Sequence, residues 1–520
     1  MADYDAVIVG AGHNGLVAAA VLAKAGLKVL VLERQRYVGG MAGTTEFFPG
    51  FRHNVGAWCL MGSMGTIVEE LELRKHGFDV IDPPTSFCTF GDPGQAPYIY
   101  YNEAAALERH LRQDHGEDAA QGLAALYDIC ITFGKEFGRG RFKMPRSLGN
   151  VIDGMPSLEA RDVMRRCIFG SGTDLIAEHF PDPQRHKSIQ GSLAAMAVDG
   201  TGLGPYSDGT AFSLVLHAAP MAVGVHYQLV KGGMGMFSEA ARKAVEEHGG
   251  EVKLRTRVQR VLVEGERAVG VELAGGEKIT SRVVLSSLDA RATFLGLVGE
   301  QNLPSDFVRM VRRIKYANPY LQIHVTLKEL PEFVGDMAFA NDDRIRWSMS
   351  YIPSPVHLER CWDDCKWGRV PEQPYSSYYI PSLLDEGMAP PGYYAATFFS
   401  QYFPVSAPRQ QHSRLKEEMA DRVIDQMTRF APNLKESIVD RVVFTPLHFE
   451  KMFGVSEGDY SSGLLRPDQV LDFRPVVGWA EYRTPLKGFY LCGAACHPGP
   501  GVNGVPGYNS ARVVLGDWRK

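Results

Sequence analysis

The first forty residues alternate between short apolar runs and glycine-containing turns. Residues 6–9 form an apolar, β-branched run of the kind that makes a parallel strand buried on both faces. Residues 16–25 are rich in alanine and leucine and lead to Gly26, which is typical of a helix with a glycine at its C-cap. A second apolar run follows at residues 28–32. The pattern predicts a β-α-β unit at the start of the chain.

A glycine-rich turn joins the first predicted strand to the helix. Gly10 permits a tight turn, Gly12 lets backbone N–H groups approach a pyrophosphate, and Gly15 lets the helix pack closely on the strand. The helix N-terminus adds partial positive charge. Glu33, at the end of the second strand, is placed to accept hydrogen bonds from an adenosine ribose and to repel the 2′-phosphate of NADP. The unit therefore predicts an FAD or NAD site that includes Gly10, Ala11, Gly12, Asn14, Gly15 and Glu33.

Composition narrows the classes of protein that remain. The chain has 520 residues, enough for two domains with large cores, and its 45% hydrophobic content is that of a globular protein. Lys+Arg 55 against Asp+Glu 60 gives a net charge of −5, which lacks the basic excess that nucleic-acid binding requires. The eight cysteines are scattered, and both C-x3-C pairs are interpreted as coincidental, so we expect a reducing compartment and no metal site.

The chain start and the hydropathy indicate a cytoplasmic location. The apolar pattern begins almost at once, without a basic targeting region, and no window of about eighteen residues is free of charged or polar interruptions. We therefore expect no membrane span. Contact with a membrane surface as a peripheral protein stays open, and so does the oligomeric state.

Two later segments carry further patterns. Residues 260–264, 268–273 and 283–287 alternate between apolar and polar positions and predict a β-meander. Residues 231–235 form a glycine turn into a helix without a complete β-α-β repeat, so no second nucleotide site for NAD(P)H is expected. Residues 488–492 predict a strand, which a glycine- and proline-rich loop connects to a helix from about Tyr508. Such a helix N-terminus could stabilise negative charge on a reduced flavin.

These motifs together resemble those of the flavin amine oxidases and phytoene desaturases. The similarity rests on Glu33-Arg34 followed by Gly39-Gly40, on the glycine turn before Gly235, and on the run from His497 to Gly507. It is strongest to phytoene dehydrogenase-related proteins, in the branch of the pyridine nucleotide-disulfide oxidoreductase domain-containing proteins. The resemblance implies FAD as cofactor. It adds as cofactor-binding residues Arg34, Gly39, Gly40, Met41, Ala42, Val258, Gly493, Ala494, Gly504, Val505 and Pro506.

Two interpretations of Arg34 stay open. Its side chain either pairs with the FAD phosphates or forms an ion pair on the protein surface. Two other positions depart from the family pattern. Ala494 stands where many relatives have an aspartate that touches the ribitol or a phosphate, so the polar contacts to FAD are expected to differ. Cys59 is the one cysteine between residues 36 and 80, and without a C-x4-C pair disulfide reductase chemistry is not expected.

The resemblance also implies a fold, an α/β (α+β) architecture with two domains. A Rossmann-like FAD-binding domain is assembled from the discontinuous segments 1–80, 226–300 and 440–520. A substrate-binding domain of mixed sheet and helices is inserted as residues 81–225 and 301–439. Within it, residues 393–402 belong to an aromatic-rich stretch that predicts strands of an antiparallel sheet, with aromatic rings facing either a pocket or the sheet packing. Residues 123–137 predict a helix. We expect its apolar face to pack in the core rather than to line a tunnel or to contact lipid.

The reactive centre is expected to be the flavin, because the chain lacks a Ser-His-Asp elbow, a zinc-binding His-Glu-x-x-His and a calcium loop. His497, in the loop near the flavin, is the first candidate to orient substrate or shuttle a proton, and His53 is the second. We predict dehydrogenation, or desaturation, of an apolar isoprenoid- or carotenoid-like molecule by hydride transfer to flavin N5, with O₂ or a quinone as electron acceptor. The alternatives are a reduced-FAD isomerase or hydratase, a noncatalytic flavoprotein acting through a partner, and an amine oxidase.

Overall fold

The computed structural model describes residues 2–60, 64–139 and 141–519. In chain order, its first elements are β1 (Tyr4–Val9), α1 (His13–Lys24), β2 (Val29–Leu32), β3 (Thr44–Phe48), β4 (Phe51–Asn54), α2 (Gly65–Glu70), β5 (Val80–Ile81), β6 (Thr85–Phe90), β7 (Tyr98–Tyr101), α3 (Ala104–His110), α4 (Glu117–Arg139), α5 (Leu148–Asp153), α6 (Leu158–Phe169), α7 (Gly172–His179), α8 (Lys187–Val198), α9 (Thr210–Ala222) and β8 (Leu229–Val230).

The remaining elements are α10 (Gly235–Glu247), β9 (Glu251–Lys253), β10 (Val258–Glu264), β11 (Arg267–Leu273), β12 (Lys278–Ser286), α11 (Ser305–Arg313), β13 (Tyr320–Leu327), α12 (Asp343–Arg346), β14 (Ser348–Tyr351), α13 (Pro355–Lys366), β15 (Ser376–Tyr379), β16 (Tyr394–Gln401), α14 (His412–Thr428), α15 (Leu434–Ser437), β17 (Ile438–Phe444), α16 (Pro446–Phe453), β18 (Phe489–Leu491) and α17 (Val505–Trp518).

The first sheet has a parallel core in the order β9-β2-β1-β12-β18. Strands β10 and β11 extend it as an antiparallel meander from β12. The predicted β-α-β unit and the predicted meander are both confirmed. Residues 6–9 and 29–32 are buried because α1 covers one face of the sheet, as expected of central parallel strands. This sheet draws on the beginning, the middle and the end of the chain.

The second sheet has the order β17-β13-β16-β15-β14-β6-β7, and it is antiparallel except where β14 pairs with β6. The predicted antiparallel sheet around residues 394–401 is confirmed, since β16 lies between β13 and β15. Strand β17 pairs with β13 in this sheet. Residues 440–444 therefore lie with the second sheet, although the sequence prediction grouped them with the FAD-binding segments. Their alternating pattern suits an edge strand in either sheet.

Helices α4 to α9 form a layer with its own apolar core. The predicted helix over residues 123–137 lies inside α4, where Leu126 and Phe133 are fully buried against α9 and its neighbours. No helix in the described ranges is both long and apolar enough to cross a membrane.

The C-terminal helix begins earlier than the sequence predicted. Helix α17 starts at Val505 rather than near Tyr508, after Gly504, which adopts a left-handed conformation with φ of 72°. Pro506 lies in the first turn, where its missing N–H costs nothing and its fixed φ favours the helix. A Cβ on Gly507 would clash with the carbonyl oxygen of Asn14, so α17 and α1 approach closely at this glycine.

Candidate functional site

A cavity of about 1400 Å³ extends from the first sheet to the second. Its wall includes the carboxyl ends of β1, β2 and β12, at Val9, Leu32 and Ser287, where ligands bind in open α/β sheets. We call this part the glycine-rich half, and its lining residues are Val9, Gly10, Gly12, His13, Asn14, Leu32, Glu33, Arg34, Gly39, Gly40, Met41, Ala42, residues 256–259 and 287–289, Ala494, His497, Pro498 and residues 500–503. The aromatic half is the part lined by Trp58, Phe87, Phe133, Phe212, Tyr227, Tyr379 and Phe399 together with their neighbours.

The glycine-rich turn leaves space for a ligand at one glycine and closes against protein at another. A Cβ on Gly12 would meet no atom within 4 Å, although Gly12 lines the cavity. A Cβ on Gly15 would clash with the carbonyl oxygen of Gly10, so Gly15 serves the packing of α1 on β1. Helix α1 has no capping side chain and no acidic residue in its first turn. The turn therefore offers uncovered backbone and a helix N-terminus, the features of an anion site.

Two polar side chains beside this turn have hydrogen-bonding capacity left. The Glu33 carboxylate accepts hydrogen bonds from the N–H groups of Ala11 and Gln35, both at 2.8 Å. A carboxylate has about four acceptor sites, so further donors can be accommodated. The Oδ1 of Asn14 is buried and has no partner among the described residues. A buried acceptor of this kind is costly unless a ligand donates to it.

A second turn lies directly against the first one. The N–H of Gly39 donates to the Ala11 carbonyl at 2.8 Å, and Gly39 and Gly40 adopt φ values of 102° and 57°. Met41 and Ala42 line the same wall. The predicted cofactor residues of both turns are therefore brought together, with Ala11 and Gly15 behind the lining.

Arg34 and Val258 also line the glycine-rich half. The Nη2 of Arg34 donates to the Lys451 carbonyl at 3.3 Å, and burial lowers the pKa of its guanidinium. Val258, the first residue of β10, is 8% exposed.

The C-terminal loop reaches the cavity slightly before the predicted residues. Ala494 and residues 500–503 line it, whereas Gly493 packs against the Ser287 carbonyl, outside the lining. Gly504, Val505 and Pro506 are likewise absent from the described lining, because the first turn of α17 packs on α1 and α2. The Val505 N–H donates to Asn503 Oδ1 at 2.9 Å. The loop thus presents residues 500–503 where residues 504–506 were expected.

The two candidate histidines differ in position. His497 lines the cavity, is 3% exposed, and accepts a hydrogen bond at its main-chain oxygen from Tyr482. His53 lies outside the cavity lining, in the β3–β4 hairpin, with its Nε2 3.1 Å from the Val325 carbonyl oxygen. Burial lowers the pKa of His53 to about 4, so its ring is neutral at pH 7. The hairpin directs His53 toward the second sheet, where its ring packs against Phe47 and His324.

Aromatic rings dominate the other half. Trp58 stacks on Tyr379 with a centroid distance of 4.8 Å and an interplanar angle of 21°. Tyr227 meets Trp58 edge-on at 5.4 Å. On β16, Phe399 lines the cavity while Phe398 is buried in the core behind the sheet. The two interpretations of the aromatic stretch are therefore both realised, on opposite faces of one strand.

Sequence reasoning missed several polar lining residues. His13, inside the glycine motif, lies 3.2 Å from the Gly501 carbonyl oxygen and joins the first turn to the C-terminal loop. Burial lowers the pKa of His13 to about 4. Asp199, His217 and Tyr460 form a hydrogen-bonded group in the cavity wall. His13 could have been identified from its position within the glycine motif. Asp199, His217 and Tyr460 lie in segments without any motif.

Comparison with known proteins identifies the family whose members this chain resembles. Residues 15–514 match the family model described as flavin containing amine oxidoreductase. The pyridine nucleotide-disulfide oxidoreductase domain-containing protein 2 of Rattus norvegicus is 30% identical, over 99% of this chain and 94% of its own. A lycopene-forming phytoene desaturase of Paracoccus sp. is 25% identical over 99% and 98% of the two chains. The prolycopene isomerase of Daucus carota is 24% identical over 97% and 78%.

The fold has solved counterparts. A putrescine oxidase variant superimposes with a TM-score of 0.66 at 16% identity and covers 99% of both chains. At this identity the likeness concerns the fold alone. It confirms the expected mixed α/β architecture with a dinucleotide-binding sheet and a second sheet.

Proposed function

Because this chain belongs to the family of flavin-containing amine oxidoreductases, whose cofactor is FAD, we propose that it dehydrogenates an apolar small molecule. The observation that carries the proposal is the continuity of the cavity, which joins the glycine-rich half directly to the aromatic half. The residues of the first half would hold the flavin cofactor, and the adjoining second half would hold the substrate. Enzymes of this kind position the substrate, and the cofactor carries the chemistry.

The residues of the glycine-rich half fit FAD. The open space over Gly12 and the uncapped N-terminus of α1 suit a pyrophosphate, because both expose backbone N–H groups without a competing side chain. Glu33 would hold the adenosine ribose with its remaining acceptor sites. The unpartnered Oδ1 of Asn14 provides a further acceptor on the same wall. Val258 and Arg34 complete the proposed contacts, to the adenine and the phosphates.

Dehydrogenation of a C–C bond to C=C removes a hydride and a proton from the substrate. Bound FAD supplies the acceptor for the hydride at N5, and O₂ or a quinone would then accept the electrons. We assign the proton to His497, a buried histidine in the cavity lining. The stacked rings of Trp58 and Tyr379 would offer the substrate a flat, apolar surface.

The apolar substrate class draws support from two sources. Rings and aliphatic side chains such as Leu216, Ile352 and Leu465 make up much of the wall beyond the glycine-rich half. The name of the Paracoccus relative describes a desaturase that acts on phytoene, a hydrocarbon. Both favour an unsaturated, isoprenoid-like substrate for this chain.

A second candidate is an isomerase that uses reduced FAD without net oxidation. The similarity to a prolycopene isomerase over 97% of this chain favours it. The two candidates make opposite predictions about electrons: the dehydrogenase reduces one flavin per substrate, whereas the isomerase leaves the flavin spectrum unchanged and requires prior reduction.

The test is an anaerobic titration of the purified, FAD-loaded protein with unsaturated hydrocarbons and isoprenoids, followed in the flavin absorbance. Bleaching by one compound, with formation of its dehydrogenated product, is the expected result. Turnover only after dithionite reduction would replace the dehydrogenase with the isomerase. Purified protein that neither contains nor binds FAD would refute both. The variant His497→Gln is expected to slow bleaching by about 100-fold with FAD content unchanged, as for loss of an acid–base group.

A further inference from the structure

Three polar residues from distant parts of the chain meet in the wall of the aromatic half. Asp199 directly follows α8, His217 lies in the middle of α9, and Tyr460 follows α16. All three line the cavity. Asp199 Oδ2 lies 3.2 Å from His217 Nε2, and the Tyr460 hydroxyl donates to Asp199 Oδ1 at 2.6 Å. No step of the proposed dehydrogenation uses them.

The hydrogen-bond partners fix the protonation of His217. Its Nδ1 lies 2.8 Å from the Ser213 carbonyl oxygen, which can only accept a hydrogen bond. Its Nε2 faces the Asp199 carboxylate, which also accepts. An oxygen acceptor near each nitrogen favours a ring that carries two protons and a positive charge. Consistently, hydrogen bonding and charge attraction raise the pKa of His217 and lower that of Asp199, although burial opposes both.

The Asp199 carboxylate is held in place by its hydrogen bonds, yet it can still accept a hydrogen bond from a ligand. Tyr460 is itself oriented by the Gly200 N–H, which donates to its hydroxyl oxygen at 3.1 Å, and by edge-on packing on Tyr320. The Asp199 side chain nevertheless keeps 39% of its accessible surface, against 15% for His217. Because Asp199 lines the cavity, a ligand in the aromatic half can reach this carboxylate.

The surroundings decide which ligand group the carboxylate suits. An apolar ligand that displaces water here without replacing its hydrogen bonds leaves the carboxylate acceptors unpaired, which is unfavourable. A cationic group on the ligand is less favoured, because the positive charge of His217 already balances the negative charge of Asp199. Lysine and arginine also outnumber aspartate and glutamate in the described lining, as Arg34, Lys135, Arg141 and Arg257 against Glu33, Asp199 and Asp289. A neutral donor, such as a hydroxyl group, satisfies both conditions.

We propose that Asp199, held by His217 and Tyr460, binds a hydroxyl group of an otherwise apolar substrate and thereby determines specificity. The inference rests on the proposed function, which it refines from an apolar molecule to an apolar alcohol. Asp199 contacts the substrate, while His217 and Tyr460 are positioning residues that keep its carboxylate ionised and oriented.

The test compares three probes that share a carbon skeleton. Geraniol, its hydrocarbon counterpart myrcene, and geranylamine are titrated into the FAD-loaded protein by calorimetry, without an electron acceptor. Geraniol is expected to bind at least 10-fold more tightly than myrcene and more tightly than geranylamine. Equal affinities for geraniol and myrcene would overturn the proposal, and tightest binding of the amine would replace the hydroxyl with an ammonium group.

Variants locate the preference in this group of residues. Asp199→Ala is expected to abolish the preference for geraniol over myrcene, and Tyr460→Phe to reduce it by several fold. Tyr351→Phe is the matched control, because Tyr351 donates an equivalent hydrogen bond to Asp92 at 2.8 Å outside the described cavity lining. A preference that survives Asp199→Ala overturns the proposal.

Folding and function are controlled separately. FAD content and circular dichroism show whether a variant folds, and Asp199→Asn, which keeps the side-chain volume, replaces the alanine variant if that one does not. Failure of the proposed function has a different signature, since then neither geraniol nor myrcene binds to the wild-type protein. Binding of both with equal affinity refutes the hydroxyl site alone.

Discussion

The two halves of the cavity are built on different principles. The glycine-rich half exposes backbone, and its main features are the absence of side chains at Gly12, Gly39 and Gly40. The aromatic half exposes side chains, with rings such as Trp58 and Tyr379 carried on the loop after β4 and on strand β15. Under the proposed function, the glycine-rich half would hold the FAD that the family shares, and the aromatic half would face a substrate that differs between chemistries.

This difference predicts that the two halves tolerate substitutions differently. Backbone recognition depends on a few positions at which any side chain is an obstacle, whereas a wall of rings can be repacked one residue at a time. Substitutions in the first half should therefore abolish cofactor binding, and substitutions in the second should alter turnover while FAD remains bound. The predictions below test this separation, beginning with the largest effect.

Gly12→Val should remove FAD from a folded protein. Gly12 has φ of −64° and ψ of 161°, which any residue adopts, and the new side chain would enter the open space of the cavity. FAD affinity is expected to fall by about 100-fold or more, a loss of about 2.7 kcal/mol. Fluorescence titration of FAD and circular dichroism of the apoprotein provide the two measurements.

The matched control is Gly516→Ala, at another glycine whose Cβ would meet no atom within 4 Å but which lies in α17 away from the cavity. It should bind FAD normally and gain about 0.5–1 kcal/mol of stability. Retention of FAD by Gly12→Val would contradict the assignment of this space to the cofactor.

Glu33→Gln should weaken FAD binding by about 10-fold while the fold is retained. The amide keeps one acceptor oxygen but loses the charge, and hydrogen bonds to a charged group are worth about 1.5–3 kcal/mol. The dissociation constant of FAD measures the effect. Glu264→Gln, at an exposed position of β10, serves as control, and equal affinities of the two variants would refute the role of Glu33.

Trp58→Ala should leave FAD in place and slow substrate-dependent bleaching by about 10-fold. The variant removes one wall of the aromatic half, including a stacked pair of a type worth about 0.5–1.5 kcal/mol. The ratio of flavin to protein and the rate of anaerobic bleaching separate the two effects. Trp367→Ala is the control, since Trp367 is 74% exposed. A loss of FAD from Trp58→Ala would show that the halves are not separable.

The smallest expected effect is the pH dependence of the Asp199–His217 pair. The raised pKa of His217 makes its stabilising contribution complete below about pH 6.5, and this contribution is lost as pH rises through the folded-state pKa. The lowered pKa of Asp199 makes its contribution complete above about pH 3.9, and this is lost as pH falls through its folded-state pKa.

Wild type and His217→Asn should therefore differ most in melting temperature between about pH 4 and 6.5, and less at pH 9. Thermal melts across this range, under equal FAD saturation, measure the difference. A constant difference at every pH would mean that His217 contributes by packing alone.

The sequence predicted the glycine-rich half well and the aromatic half only in outline. Around Gly10, Gly12 and Glu33, the chemistry is encoded within about 25 consecutive residues, so spacing along the chain translates directly into geometry. The strand and turn pattern there also fixed the β-α-β unit. The start of α17 was predicted too late because several glycines precede the helix, and the sequence does not show at which of them the loop ends. Pro506 decides the position, because its fixed φ suits the first turn of a helix.

The aromatic half resisted prediction because its residues come together only in three dimensions. Asp199, His217 and Tyr460 lie in segments without a motif, and a lone histidine or aspartate carries no sign of its partner. The candidate His53 illustrates the opposite problem. It stands next to a recognisable motif, but the alternation of the β3–β4 hairpin turns its ring away from the cavity.

The contact between Gly507 and Asn14 has a consequence for how the protein is made. Helix α17 completes the surface on which α1 rests, yet α1 begins at His13 and α17 only at Val505. At a translation rate of about 5–20 residues per second, the N-terminal unit waits roughly 25–100 s on the ribosome for this partner. Strands β12 and β18, which extend the same sheet, also arrive late. The first sheet and the helices that cover it are therefore complete only after β18 and α17 have been synthesised.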